Sequence, residues 1–171
     1  MWCEEDHDGD RLPTLVFACG NPSRGDDALG SELLRALERC RVSGEIAGVE
    51  LLTDFQLQVE HALDLTGRDR VVFVDAAATG PEPFAFAPVA PSRDLSYSSH
   101  AMSPEAVLAV YEQVVGDTLP PVWLLAIRGY DFGLSKGLSE RARENLDQAL
   151  DFVIGFLSAG SILRTVTSGM L

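Results

Sequence analysis

The chain has 171 residues, 46% of them hydrophobic, and a formal net charge of −13 at pH 7. This length predicts a single domain, with a core over about residues 14–157 between an acidic N-terminal arm and a C-terminal tail that we expect to be flexible. The charge disfavours nucleic acid and anionic membranes as partners. No stretch approaches the ~20 apolar residues of a membrane helix, and the acidic start is unlike a signal peptide, so we expect a cytoplasmic protein.

Hydrophobic periodicity predicts strands alternating with helices. Strands are predicted at 14–19, 48–53, 71–74, 84–89 and 122–127. Helices are predicted at 26–40, 57–65, 103–115 and 139–157. Prolines beside the fourth strand indicate an edge position, and Ser103 followed by Pro104 is typical of a helix start. The alternation predicts an α/β fold in three layers, with a mostly parallel five-stranded sheet and helices on both faces.

An acidic turn joins the first predicted strand to the first predicted helix, with the sequence Gly20-Asn21-Pro22-Ser23-Arg24-Gly25-Asp26-Asp27-Ala28-Leu29-Gly30. Its first six positions fit a Walker A loop, but Asp26 and Asp27 replace the Lys and Ser/Thr that bind phosphate. Pro22 replaces the second glycine of the dinucleotide-binding motif. Two carboxylates in such a turn suit a cation. We expect Asp26 mainly to cap the helix, whereas capping and cation binding both stay open for Asp27.

Three polar residues are predicted at the carboxyl ends of successive strand units: Asp27, Asp75 and His100. Because parallel strands end at one edge of the sheet, we expect these side chains to converge. Two carboxylates and an imidazole suit Zn, Ni, Fe or Mn, and with open coordination positions they suit metal-assisted hydrolysis. Taken singly, Asp75 fits a turn cap better than a metal ligand, and His100 fits a solvated loop residue better.

The pattern of these motifs resembles the nickel-iron hydrogenase maturation endopeptidases over nearly the whole core, from about Thr14 to Leu157. The resemblance rests on Gly20-Asn21-x-x-x-x-Asp26-Asp27-x-x-Gly30, on Val74-Asp75-Ala76 at a strand end, on His100 in a Ser-His loop before a helix, and on Gly137-Leu138-Ser139 before the last helix. The glycine-asparagine corner with its acidic pair is the most specific of these elements.

This resemblance implies an endopeptidase that removes the C-terminal extension of the hydrogenase large subunit after nickel has been inserted. The implied partner is the nickel-loaded large-subunit precursor, which supplies the nickel; zinc or cadmium is expected to substitute in crystals. The implied metal-binding and catalytic residues are Asp27, Asp75 and His100. The sequence has neither a Gly-x-Ser-x-Gly elbow nor an H-E-x-x-H motif, so the implied peptidase would lack a conventional nucleophile or resident zinc.

Two other functions stay open at the level of sequence. A metal-binding chaperone of the same fold would bind the immature subunit and leave its extension intact. A nucleotide- or phosphate-binding α/β module is the second alternative, although Asp26 and Asp27 count against it. The sequence also leaves open whether the metal takes part in catalysis or serves only as an anchor for recognition.

Overall fold

The computed structural model describes residues 11–92 and 102–168, with 160–168 described by their backbone alone. The strands are β1 (Thr14–Cys19), β2 (Val49–Asp54), β3 (Arg70–Ala77), β4 (Phe84–Pro88) and β5 (Val122–Arg128). The α-helices are α1 (Leu29–Val42), α2 (Pro104–Val114) and α3 (Glu140–Ser168). Two 3-10 helices lie at Gly25–Ala28 and Val59–Leu65.

The strands form one sheet in the order β2-β1-β3-β5-β4. All neighbouring strands are parallel except β4, which pairs antiparallel with β5 at one edge. In the centre, Phe17 of β1 lies opposite Leu52 of β2 and Phe73 of β3. The predicted α/β fold and the edge position of the fourth strand are therefore confirmed.

The two faces of the sheet are buried by different helices. On one face, α1 and α3 pack against Val72 and Val74 of β3. On the other face, α2 and the 3-10 helix 59–65 pack against Val71 and Phe73. Because β3 is covered on both sides, its side chains are apolar on both faces instead of alternating, and the predicted three layers are confirmed.

The structure corrects several element boundaries. The first helix starts with a 3-10 turn at 25–28 and becomes α-helical at Leu29, and the predicted helix 57–65 is a 3-10 helix that begins at Val59. Strand β3 continues to Ala77, so Asp75 lies within the strand, opposite Ala126, rather than at its end. The last helix reaches Ser168 instead of ending near residue 157, since no proline interrupts this segment.

The N-terminal arm, residues 1–10, lies outside the described residues. Across the part of the chain that the structure describes, no helix combines the length and apolar character needed to cross a membrane. The single domain, the cytoplasmic location and the lack of nucleic-acid partners stay predictions.

We expect the protein to fold without a metal ion. The core on both faces of the sheet consists of buried apolar side chains, whereas proteins that need a metal to fold build their core around the metal ligands. Thermal unfolding followed by circular dichroism should therefore give the same midpoint with and without excess EDTA. Loss of the cooperative transition on chelation would contradict this expectation.

Candidate functional site

The turn after β1 lies directly against the start of the following helix because two positions carry glycine. Gly20 has a φ of +133°, and a Cβ on it would lie 2.1 Å from the carbonyl oxygen of Asp27. A Cβ on Gly30 would lie 2.7 Å from the carbonyl oxygen of Cys19. Any side chain at these positions would push the helix away from the strand, so the glycines place Asp26 and Asp27 at the carboxyl edge of the sheet.

Asn21 links this turn to Asp27. Its backbone N–H donates to Asp27 Oδ2 at 2.8 Å, and its side-chain Oδ1 accepts from the N–H of Ser23 at 2.9 Å. The Asp27 side chain is half-buried and lines a cavity. The turn therefore orients a carboxylate toward the cavity through a backbone hydrogen bond.

Asp26 does not cap its own helix, contrary to the sequence prediction. It is 0% exposed, and its Oδ2 accepts from the N–H groups of Tyr130 and Asp131 at 2.7 and 2.9 Å. Ser139 donates its N–H to Oδ1 at 2.7 Å and its hydroxyl to Oδ2 at 2.8 Å. The carboxylate thus joins the turn after β1 to the loop after β5 and to the start of α3.

These hydrogen bonds keep Asp26 ionised. Burial by itself would raise its pKa, but the N–H groups of Asp131, Ser139 and Tyr130 outweigh burial and hold the pKa below the ordinary value. The pKa of Asp26 is lower in the folded state than in the unfolded state, where it is about 3.9. Ionised Asp26 therefore stabilises the fold at pH values above about 3.9. That contribution is lost as the pH falls through the folded-state pKa.

Asp27 and Asp75 line the same cavity at the carboxyl edge of the sheet. The cavity has a volume of about 510 Å³. Asp75 projects from β3, and its Oδ1 accepts from the N–H of Ala76 at 2.8 Å. The structure therefore brings these two carboxylates, which are far apart in sequence, to one concave site. Other residues lining the cavity are Cys19, Asn21, Arg24, Met102 and Ser103.

The cavity raises the pKa of Asp75 to about 6. Desolvation by the surrounding protein is the largest cause, the Ala76 N–H acts in the opposite direction, and the negative charge of Asp27 adds to the increase. Asp75 is exposed by area, but it lines a concave cavity, where surrounding protein desolvates its carboxyl group. Burial therefore sets most of the shift, and the charge of Asp27 adds to it.

His100 lies outside the described residues. The chain is described again from Met102, whose N–H donates to the carbonyl of Leu57 at 3.1 Å, and both Met102 and Ser103 line the cavity. Within residues 11–92 and 102–168, no three His, Cys, Asp or Glu side chains are grouped closely enough to hold a metal ion. The three-residue site therefore stays a prediction.

His61 has a structural role at the start of the 3-10 helix 59–65. Its Nδ1 accepts from the N–H of Gln58 at 2.9 Å, and its Nε2 lies 3.4 Å from Asp54 Oδ2. The ring packs against Phe17 with 4.6 Å between ring centroids. These contacts satisfy the imidazole and fix the chain that leads into the helix.

Solved structures of hydrogenase maturation proteases share this fold. The nickel-iron hydrogenase maturation protease HycI of Thermococcus kodakarensis is 21% identical, with a TM-score of 0.65 over 88% of this chain and 95% of that one. The endopeptidase HybD of Escherichia coli is 19% identical, with a TM-score of 0.64 over 87% and 94%. A hydrogenase 2 maturation peptidase of a Thaumarchaeota archaeon is 21% identical, with a TM-score of 0.59 over 84% and 97%. No family model matches the chain, and no curated protein matches its sequence.

Replacing Asp26 should damage the fold more than replacing its neighbour. In Asp26→Asn, an amide NH2 would replace one carboxylate oxygen and would face the N–H groups that now donate to that oxygen. We therefore expect the free energy of unfolding to fall by about 2–4 kcal/mol. Asp27→Asn keeps an oxygen that can accept from Asn21 and should cost less. Urea unfolding of both variants measures the difference; equal losses would contradict the role assigned to Asp26.

Asp75 should titrate near pH 6, well above an ordinary aspartate. Removing the charge of its neighbour in Asp27→Asn should lower this midpoint, because part of the increase is repulsion between the two carboxylates. Carbon-13 NMR of the side-chain carboxyl group, followed from pH 3 to 8, measures both values. A midpoint near 4 would contradict the desolvation of Asp75, and a raised midpoint that does not move in the variant would show that the two acids do not interact.

Proposed function

We propose that this protein is an endopeptidase that removes the C-terminal extension of the nickel-iron hydrogenase large subunit after nickel insertion. The observation that carries the proposal is the pair Asp27 and Asp75, which line one cavity at the carboxyl edge of the sheet. The fold shared with hydrogenase maturation proteases supports the same reaction. The glycine-asparagine corner that positions Asp27 is also the most specific element of the sequence resemblance.

The reaction is hydrolysis of one peptide bond in the large subunit. Water adds to the carbonyl carbon, the carbon–nitrogen bond breaks, and the departing amine takes a proton. Asp27, Asp75 and His100 bind the nickel ion that the substrate carries. A divalent ion held there can polarise the carbonyl group or lower the pKa of a bound water.

Repulsion between the two carboxylates makes recognition depend on the metal. Without a cation, burial and, to a smaller extent, the charge on Asp27 disfavour ionisation of Asp75. A dication in the cavity offsets this repulsion and favours the ionised form of both groups. A precursor without nickel would bring no such compensation, so the protein would act only on subunits that have received their metal.

The electrostatics of the cavity disfavour a phosphate-binding function. An anion would meet Asp27 and Asp75, and the turn lacks the lysine that a Walker A loop uses. A non-cleaving chaperone would use the same site and would differ only in leaving the extension attached. The mass of the large subunit after incubation therefore separates this rival from the peptidase.

Each of the three proposed site residues should be needed for cleavage. We expect Asp27→Asn, Asp75→Asn and His100→Ala to slow removal of the extension by about 100-fold or more, as is usual for groups that take part in hydrolysis. Intact-mass spectrometry of the nickel-loaded precursor follows the reaction.

Asp147→Asn is the matched control, since it removes one exposed carboxylate on α3 far from the cavity lining. It should cleave at the wild-type rate. Normal cleavage by Asp75→Asn and His100→Ala would defeat the proposed site, even if the wild-type protein is an active peptidase.

A further inference from the structure

The outer edge of β2 is open. β2 is the terminal strand of the sheet, and no strand of the described residues pairs with its far side. The opposite edge strand, β4, is interrupted at its ends by Pro83 and Pro88, and proline is a common device that prevents unwanted pairing. β2, with the sequence Val-Glu-Leu-Leu-Thr-Asp, has no proline and no lysine.

Alternate residues of β2 direct their backbone groups to this open edge. The carbonyl of Gly48 accepts from Thr14 and that of Asp54 accepts from Gly20, so the even-numbered positions face β1. Backbone groups alternate in direction along a strand. Leu51 and Thr53 therefore direct their N–H and C=O groups away from β1, where another extended chain can pair with them.

A groove of about 700 Å³ runs along this edge between β2 and α1. Leu34 and Arg35 of α1 line one wall. Gly20 and Phe55 line both this groove and the cavity that contains Asp27 and Asp75. The groove and the cavity therefore adjoin at these two residues.

Phe55 lies at the junction between groove and cavity. It follows β2 immediately and is 66% exposed, although it is a large apolar side chain. Its N–H donates to Asp54 Oδ1 at 2.6 Å, which fixes the backbone at this point. Exposed aromatic side chains in such positions commonly anchor a bound partner.

We propose that the C-terminal extension of the substrate binds as an additional strand, antiparallel to β2, in this groove; the inference rests on the proposed function. The extension lies on the C-terminal side of the bond that is cut. With that bond in the cavity, the extension begins at the carboxyl end of β2 and runs toward its amino end. Backbone pairing of this kind provides affinity with little demand on sequence.

A second copy of this chain fits the edge less well. Each chain carries a net charge of −13, so association of two copies would bring like charges together. The groove itself is lined by both acids and bases: Glu38, Glu50, Asp54, Arg35 and Arg41. A second copy would also leave unexplained why the groove adjoins the cavity at Gly20 and Phe55.

Amide exchange measured by NMR tests the strand directly. The probe is a synthetic peptide with the sequence of the extension of the large subunit from the same organism, added to the wild-type protein. The amides of Leu51 and Thr53 should become protected, while those of Leu52 and Asp54, which already face β1, should not change. Protection that increases with protein concentration and needs no peptide would mean that a second copy occupies the edge, and would overturn the proposal.

The variant Thr53→Pro tests the same strand during the reaction, because proline removes the backbone N–H that points away from β1. The control is Thr53→Ala, which keeps this N–H. The proline variant should raise the KM for the nickel-loaded precursor about 5- to 10-fold with kcat unchanged, and the alanine variant should not. If the wild-type protein cleaves but neither peptide protection nor a KM change appears, the strand inference fails while the proposed function stands. If the wild-type protein does not cleave, the proposed function fails, and the exchange experiment still decides whether the edge binds the extension.

Discussion

The buried carboxylate of Asp26 is the interaction on which the geometry of the site depends. It accepts hydrogen bonds from Tyr130, Asp131 and Ser139, so one side chain joins the turn after β1, the loop after β5 and the start of α3. A buried charge is tolerated only when its hydrogen-bonding capacity is satisfied. These donors satisfy that condition and fix the carboxyl edge of the sheet.

The neighbouring acid, Asp27, has a different environment from that of the buried Asp26. Asp26 points into the interior, and Asp27, the next residue of the same 3-10 helix, lines the cavity together with Asp75. Asp26 has a lowered pKa because backbone N–H groups surround it, whereas Asp75 has a raised pKa because protein and a second carboxylate surround it. One acidic pair of neighbours therefore supplies a structural carboxylate in the interior and a carboxylate that lines the cavity.

Local patterns predicted most of the fold. The range of β1 agreed residue for residue, and the Val-rich run of β3 together with Ser103-Pro104 located a central strand and a helix start. The glycines at 20 and 30 indicated the tight corner, because only close backbone approach requires them. The sequence could not show that β3 continues through Ala76 and Ala77, since that extension depends on pairing with Ile127 and Arg128 of β5.

Asp26 was misassigned because its partners are distant in sequence. Aspartate before a helix predicts a cap, and nothing local distinguishes a cap from a carboxylate that bonds to residues 130, 131 and 139. The one available signal was the joint presence of the acidic corner and Gly137-Leu138-Ser139 in the resemblance, which the structure explains through the Ser139–Asp26 hydrogen bonds. The position of His100 relative to the two carboxylates stays a prediction, because His100 lies outside the described residues.

The most direct test compares two forms of one substrate. The wild-type protein is incubated with the large-subunit precursor in its nickel-loaded form and in its metal-free form, and the mass of the subunit is measured before and after. We expect only the nickel-loaded precursor to lose the mass of its C-terminal extension. Equal cleavage of both forms would contradict metal-dependent recognition through Asp27 and Asp75, and no cleavage of either form would contradict the peptidase itself.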